Sequence, residues 1–375
     1  MEEKTSGSKW LGWLVLAIVV IGGGWWLMSH GSAGKVAETH KLKVGAILPT
    51  TGAIADFGTI FKNGLTNGLA NDPDIEVVYE DSRNDPTASL SAFQKLTTVD
   101  NVDVVVSIMS VPTVPLVPVA KQNQVPLVMS MVSTISATAK DNEYVYRLFW
   151  TAQDTGEFLA DRLIAQGLKR VAILQSKDPA SQSNVDVAMP RLQAAGVQVT
   201  YETFMNSDTD FRDQLLKVKQ ANPEAIDIVT IPAVVWKSIL TQAKDLGITV
   251  PIYDQLGVFM NVGTPEALGA LGNGVYTITT PFNVGEYPQE VRDSIIQKTG
   301  TAPAGYASFG YDTAALLKEL VKNNVTDRAS IVSYLKNMKT FEGITSPYVV
   351  DDTHNIKPSP VKVQFVNRQI VKSDK

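Results

Sequence analysis

The sequence predicts an α/β protein of two lobes, each a mostly parallel sheet flanked by helices, preceded by an N-terminal transmembrane helix. Three observations predict it. Short β-rich apolar runs alternate with helical stretches from residue 42 onward, the mark of a parallel sheet covered on both faces. The 335 residues of 41–375 exceed what one hydrophobic core comfortably serves. Ahead of them, Trp10 to Met28 runs nineteen residues without a charge, long enough to span a bilayer.

The first strand is Val44 to Leu48. It enters a Pro-Thr-Thr-Gly turn, Pro49 to Gly52, and then a helix starting near Ala55. Such a turn sets hydroxyls and free helix-start N–H groups at the carboxyl end of a parallel strand, where open α/β sheets bind ligands. It is neither GxGxxG nor GxxxxGK[ST], so it offers no nucleotide-phosphate cradle. Ile75 to Glu80, Val102 to Ile108 and Pro126 to Ser130 are the next strands, separated by helices over Pro86 to Val99 and Val114 to Gln122. A second series follows Arg147, with strands at Val171–Gln175, Val197–Phe204, Ile226–Ile231, Pro251–Asp254 and Gly274–Thr279. Its helices are placed near Thr155–Gln166, Val185–Ala195, Phe211–Ala221 and Trp236–Leu246, with Gly167, Gly196 and Gly247 where C-caps are wanted.

Four segments carry a family resemblance: GAILPTTGAIADFG at Gly45 to Gly58, EDSRNDPTAS at Glu80 to Ser89, the run from Val102 to Thr134, and ASFGYDTAALLKEL at Ala307 to Leu320. By their order and spacing the chain resembles the type 1 periplasmic solute-binding proteins, most of all the leucine/isoleucine/valine (branched-chain amino acid) branch that serves ABC importers. The resemblance covers roughly residues 41–370. It implies a non-enzymatic clamshell that closes on a small solute and hands it to a membrane permease. Contacts from both lobes exist only in the closed state, so the solute shifts the hinge equilibrium by its differential affinity. By the same analogy the first lobe takes residues 41–150 and 281–355, and the second 151–280 and 356–375. The crossovers then fall near Phe149, Pro281 and Lys357.

At the N-terminus, Trp10 and Trp13 at one end of the apolar run and Trp25 and Trp26 at the other suit two aromatic belts. Lys4 and Lys9 favour a cytoplasmic tail of residues 1–9, and Gly31 to His40 reads as part of a flexible spacer over 29–40. The rival reading is a cleaved secretory signal cut after Ala33. A retained single-pass anchor is preferred because the apolar stretch resumes after Gly22 to Gly24. Either way the globular part is expected outside the cytoplasm. The chain has no cysteine, which removes disulfides, thiolate chemistry and a lipid-bearing cysteine together.

The resemblance nominates ligand-binding residues. Ser133 and Thr134, past the fourth strand, align with the family's grip on the ligand carboxylate; as ordinary loop residues they would instead cap a turn or helix. Ser110 sits beside the grip's other hydroxyl position, which itself holds Val111. Phe57 aligns with an aromatic pocket wall, with core packing as the alternative. In the second lobe, relatives carry Tyr-Gly where this chain has Asp178-Pro179-Ala180-Ser181, and an acidic partner for the ligand ammonium where it has Leu256. Asp254 is a possible substitute, and Trp236 of the Pro232–Trp236 segment a possible stacking partner, each with a bland structural alternative. Burying an ammonium without a carboxylate is costly, so a carboxylate or amide solute lacking an amine fits about as well as an amino acid.

Catalysis is poorly supported. His30, His40 and His354 are scattered, and HExxH, GxSxG and a cysteine nucleophile are all missing. Glu80–Asp81 and Asp351–Asp352 are adjacent and point to opposite faces of a strand. No catalytic residue, metal or cofactor is therefore assigned. A sensor ectodomain acting through a partner stays open as an alternative. Net charge is −5 with no basic cluster on a predicted face, which argues against nucleic acid. The expected partners are a small solute and an ABC permease, with the protein itself a monomer.

Overall fold

The computed structural model describes residues 40–373 apart from 71, 138–140, 261–266, 282–288, 291–292, 294–295, 298–304 and 368. The anticipated transmembrane run, Trp10 to Met28, lies outside the described residues. Among the described residues no helix is long and apolar enough to cross a membrane.

Strands β1 (Leu42–Leu48), β2 (Ile75–Asp81), β3 (Val104–Ile108), β4 (Leu127–Ser130) and β5 (Val145–Leu148) build a first sheet. Strands β6 (Arg170–Ser176), β7 (Gln198–Phe204), β8 (Ala225–Val229), β9 (Ile252–Tyr253) and β10 (Tyr276–Thr279) build a second. The chain then returns to the first sheet with β11 (Thr340–Glu342), β12 (Pro347–Val350) and β13 (Asn355–Pro358), and ends in the second with β14 (Val361–Val366) and β15 (Gln369–Lys372). The sheet orders are β11-β12-β13-β5-β4-β3-β1-β2 and β15-β14-β10-β9-β8-β6-β7. β1 to β5 pair in parallel, as do β6 to β10, while the late strands add antiparallel edges. β13 pairs with β5, Asn355 opposite Arg147. Lys357 therefore lies within the first sheet, and the last crossover falls just after it, between Pro358 and Val361.

The helices are α1 (Ala55–Leu69), α2 (Pro86–Thr98), α3 (Ser110–Thr113), α4 (Leu116–Asn123), α5 (Ala152–Ala165), α6 (Pro179–Ala194), α7 (Arg212–Gln220), α8 (Ala233–Asp245), α9 (Ala307–Lys322) and α10 (Arg328–Asn337). β1, β3 and β8 are buried at nearly every position, as a sheet covered on both faces requires. Two helix starts share one chemistry. Asp85 caps α2 by accepting from Ala88 N, and Asp178 caps α6 by accepting from Ala180 N and Ser181 N, with proline at the first helical position each time. α6 thus begins six residues before Val185, where the apolar pattern had placed its start. α5 carries a Thr151–Asp154 capping box.

Helices α1 and α9 approach closely through glycines. A Cβ at Gly64 would lie 2.3 Å from Ala307 O, and one at Gly310 2.4 Å from Phe61 O. Both obstructions are backbone, so neither can step aside. Gly310→Ala is expected to destabilise the protein by about 1–3 kcal/mol through forced separation of the two helices. Chemical denaturation reads this directly; an unchanged midpoint would mean the helices do not pack this tightly.

The junctions between sheets are tied to one another. The Trp150 indole N–H donates to Pro358 O at 2.7 Å. Lys357 bridges Asp154 at 3.0 Å and Asp351 at 3.2 Å, joining β13 to the start of α5.

Candidate functional site

A cavity of about 30 Å³ lies where the carboxyl ends of the two sheets' strands meet. The first sheet supplies Phe57 from the first turn of α1, Met109 and Ser110 just past β3, Met131 and Ser133 past β4, and Phe149 past β5. Tyr306, immediately before α9, completes that side. The second sheet supplies Ala180 from the first turn of α6, Ile231 past β8 and Leu256 past β9. Ligands of open α/β sheets bind at such strand ends.

The wall is polar only on the first sheet's side. Ser110 Oγ is buried and has no hydrogen-bond partner among the described residues. Ser133 Oγ accepts from Asn184 Nδ2 at 3.3 Å, and its carbonyl accepts from Ala152 N at 2.6 Å. Among the described residues that line the cavity none carries a charge. The aromatic part of the wall is interlocked: Phe57 lies 5.3 Å from Tyr306, and Phe149 lies 4.8 Å from Phe309 in an edge-on contact. The Tyr306 hydroxyl reaches across the cleft to donate to Leu256 O at 3.0 Å, and burial raises its pKa, so it stays a donor.

Of the residues nominated from sequence, Phe57, Ser110 and Ser133 line this cavity, and Thr134, Trp236 and Asp254 do not. The Thr134 side chain is buried against α6, with Oγ1 donating to Pro179 O at 3.1 Å and 2.5 Å from Ser183 Oγ. Its carbonyl accepts from the buried Arg147 guanidinium at 3.0 Å. Burial lowers the Arg147 pKa to about 10, against the pull of Asp154 and Asp351. Thr134 thus joins the two halves directly. Trp236 is fully buried in the second lobe, its indole N–H donating to Thr230 O at 2.8 Å and its ring edge-on to Phe259.

Asp254 is also turned inward. It accepts from Leu256 N at 3.2 Å, Phe259 N at 3.0 Å and Thr277 Oγ1 at 2.8 Å. Burial raises its pKa to about 6 despite those bonds. Its task is to hold the turn that presents Leu256, and it does not line the cavity.

Met109, Met131, Phe149, Ile231 and Tyr306 were not nominated. Met109, Met131 and Phe149 directly follow a strand, Tyr306 directly precedes a helix and Ile231 lies in the short turn between β8 and α8, and that position was the only signal available. What no sequence pattern discloses is that Met109 and Met131 adopt positive φ, 67° and 55°. Non-glycine residues held there cost of the order of 1–3 kcal/mol each and persist where the surroundings over-determine them.

The sequence model of the periplasmic binding proteins matches residues 41–369. The chain belongs to the periplasmic binding protein family. Members of the family bind solutes rather than transform them, so this periplasmic binding protein is no enzyme. It is similar to a Leu/Ile/Val-binding protein homolog of Brucella melitensis, 22% identical over 200 residues. That match takes in 51% of this chain and 54% of the relative, so it spans about half the relative's length. Its fold is that of a leucine-binding protein, LivK, from Thermotoga maritima, at a TM-score of 0.80 and 23% identity over 88% of this chain and 97% of that one. A solute-binding protein of an ABC transporter from Rhodopseudomonas palustris, in complex with 3,4-dihydroxybenzoic acid, superposes at 0.75 with 21% identity, covering 89% and 96%.

Proposed function

We propose that this periplasmic binding protein captures a small solute with a carboxylate or amide head and an apolar body, and delivers it to an ABC permease. The observation that carries the reading is the cavity's asymmetry. Two serine hydroxyls stand on the first lobe, one of them without a partner among the described residues, and Ala180, Ile231 and Leu256 face them from the second. A buried unpartnered hydroxyl is costly unless something bonds it, and a solute oxygen at Ser110 and Ser133 supplies that bond. The leucine-binding and dihydroxybenzoate-binding relatives both fit this outline, the second without an amine. The charge-free run at Trp10 to Met28 supports a membrane-anchored protein working outside the cytoplasm as a monomer.

A thermal-shift screen of the purified protein against amino acids, amides, short carboxylates and aromatic acids tests the reading. A solute at 100 times its dissociation constant should add about 2.7 kcal/mol of stability. Ser110→Ala and Ser133→Ala should each weaken that solute by about 1–3 kcal/mol. A screen in which no small molecule raises stability, or serine variants that bind as tightly as the parent, would remove this cavity as the solute site.

A further inference from the structure

The wall of the cleft has an unyielding part and a yielding one. Phe57, Tyr306, Phe309 and Phe149 touch ring to ring, and the Tyr306 hydroxyl is held by Leu256 O, so no ring moves without displacing its neighbours. Met109 and Met131 differ in kind. Each is the residue directly after a strand, β3 and β4, and those strands run side by side with Ile108 opposite Ser130. The two methionines therefore stand next to each other at the ends of adjacent strands, both lining the cavity and both at positive φ. Two neighbouring non-glycine residues at positive φ, both on the wall of a cavity between the two sheets, indicate that the fold holds these two side chains there for use.

Methionine is unbranched, with three rotatable bonds and a polarizable sulfur that packs well against aromatic rings. Small-molecule pockets commonly enclose about 300–1,000 Å³, whereas this cleft encloses about 30 Å³. Solute can enter only if part of the wall gives way or the lobes part. Once the lobes have closed, the space left for the solute depends on whichever side chains can still change rotamer.

We propose that Met109 and Met131 are the specificity-determining residues of the cleft, a paired thioether floor whose rotamers set how large an apolar carboxylate the protein accepts. This rests on the reading of the cavity as the solute site, and the two can fail separately. The polar head stays with Ser110 and Ser133, and the floor adjusts beneath the apolar body.

Titration calorimetry of the full-length protein with benzoate and 2-naphthoate decides it. Met109→Gly and Met131→Gly remove the floor, and glycine suits the positive φ at both sites. Met109→Leu with Met131→Leu keeps the volume but replaces the unbranched chain. The glycine variants should shift preference toward 2-naphthoate by about tenfold or more, the scale on which a pocket registers a few methylenes. The leucine pair should shift it toward benzoate, and it decides the matter if a glycine variant fails to fold. Equal changes for both acids in every variant would overturn the proposal and leave the methionines as packing. Neither acid binding to the parent, while another solute of the screen does, would overturn it too and keep the cleft as a binding site. No binding of any solute would overturn both.

Discussion

Asp312→Ala should lower stability by about 2–4 kcal/mol, the combined cost of three buried hydrogen bonds losing their acceptor. The carboxylate sits fully buried on α9 and accepts from Thr345 N at 2.7 Å, Thr345 Oγ1 at 2.5 Å and Tyr348 Oη at 2.6 Å. A Cβ on the neighbouring Gly343 would come within 2.6 Å of Asp312 Oδ1, so the chain there is shaped around this group. Alanine would remove the acceptor that a backbone N–H and two hydroxyls share. Asp312→Asn keeps one acceptor oxygen and should lose less. The group also gives a pH signature. Burial raises its pKa from 3.8 to about 6, so the folded state holds the proton more tightly than the unfolded chain. Stability from this source is full below pH 3.8 and falls as pH rises through 6; Asp254 acts in the same direction. Asp351 opposes them at the acid end, since its pKa is lowered to about 2 and its contribution is lost as pH falls toward that value. Between pH 4 and 7 the stability that Asp312→Ala loses relative to the parent, read from denaturant midpoints, should shrink as pH rises, because the parent alone carries this declining contribution. His354, its pKa lowered by burial, acts in the opposite direction in both proteins. A loss under 1 kcal/mol with an unchanged pH slope would sink the argument.

The second large effect is in binding. 4-Methylpentanoate, which is leucine without its amine, should bind more tightly than leucine by about 3 kcal/mol, on the order of a hundredfold. Closing the lobes strips water from the ammonium, and among the described residues the cavity wall holds no carboxylate to replace it. The nearest buried acid, Asp254, already serves two backbone N–H groups and Thr277. Competition calorimetry compares the two ligands directly. Leucine binding as tightly as the acid, or more so, would show that a counter-charge reaches the ligand by a route this closed arrangement lacks.

Most of the parallel strands were legible because covered faces make them predominantly apolar runs such as Val104 to Ile108, in which Ser107 is the one polar residue. β5 and β11 to β15 were not. β5 has only four residues, and β11, β12 and β15 are short antiparallel strands at the sheet margins whose exposed residues, Thr340, Glu342, Pro347 and Val349 among them, dilute the apolar signal. β13 and β14 lie inside the sheets but mix polar with apolar residues. The start of α6 was hidden for a related reason: its first turns, Pro179 to Asn184, are polar or small, and only Asp178-Pro179 marks the cap. At the site, strand-end position and motif found Phe57, Ser110 and Ser133. The same reasoning could not tell that Thr134 turns toward α6, that Asp254 serves its own turn, or that Trp236 belongs to a core. Side-chain direction at the end of a strand depends on backbone torsions, and at Met109 and Met131 these take values no sequence pattern announces.

The short passage from β13 to β14 has a mechanical consequence. Only Ser359 and Pro360 separate Pro358 in one sheet from Val361 in the other. Three virtual bonds reach at most ~11 Å even when fully stretched, so the halves cannot slide apart at this point. The Trp150 indole grips the same Pro358 carbonyl, which fixes a second crossover beside the first. Any parting of the halves would be a turn about this point, with travel growing in proportion to distance from it. Ala152, two residues from Trp150 and bonded through its N–H to Ser133 O, should keep its spacing to Ser133 through such a turn. Spin labels on either side of the cleft would read the swing as a distance that grows with radius, and labels flanking Pro358 would read none.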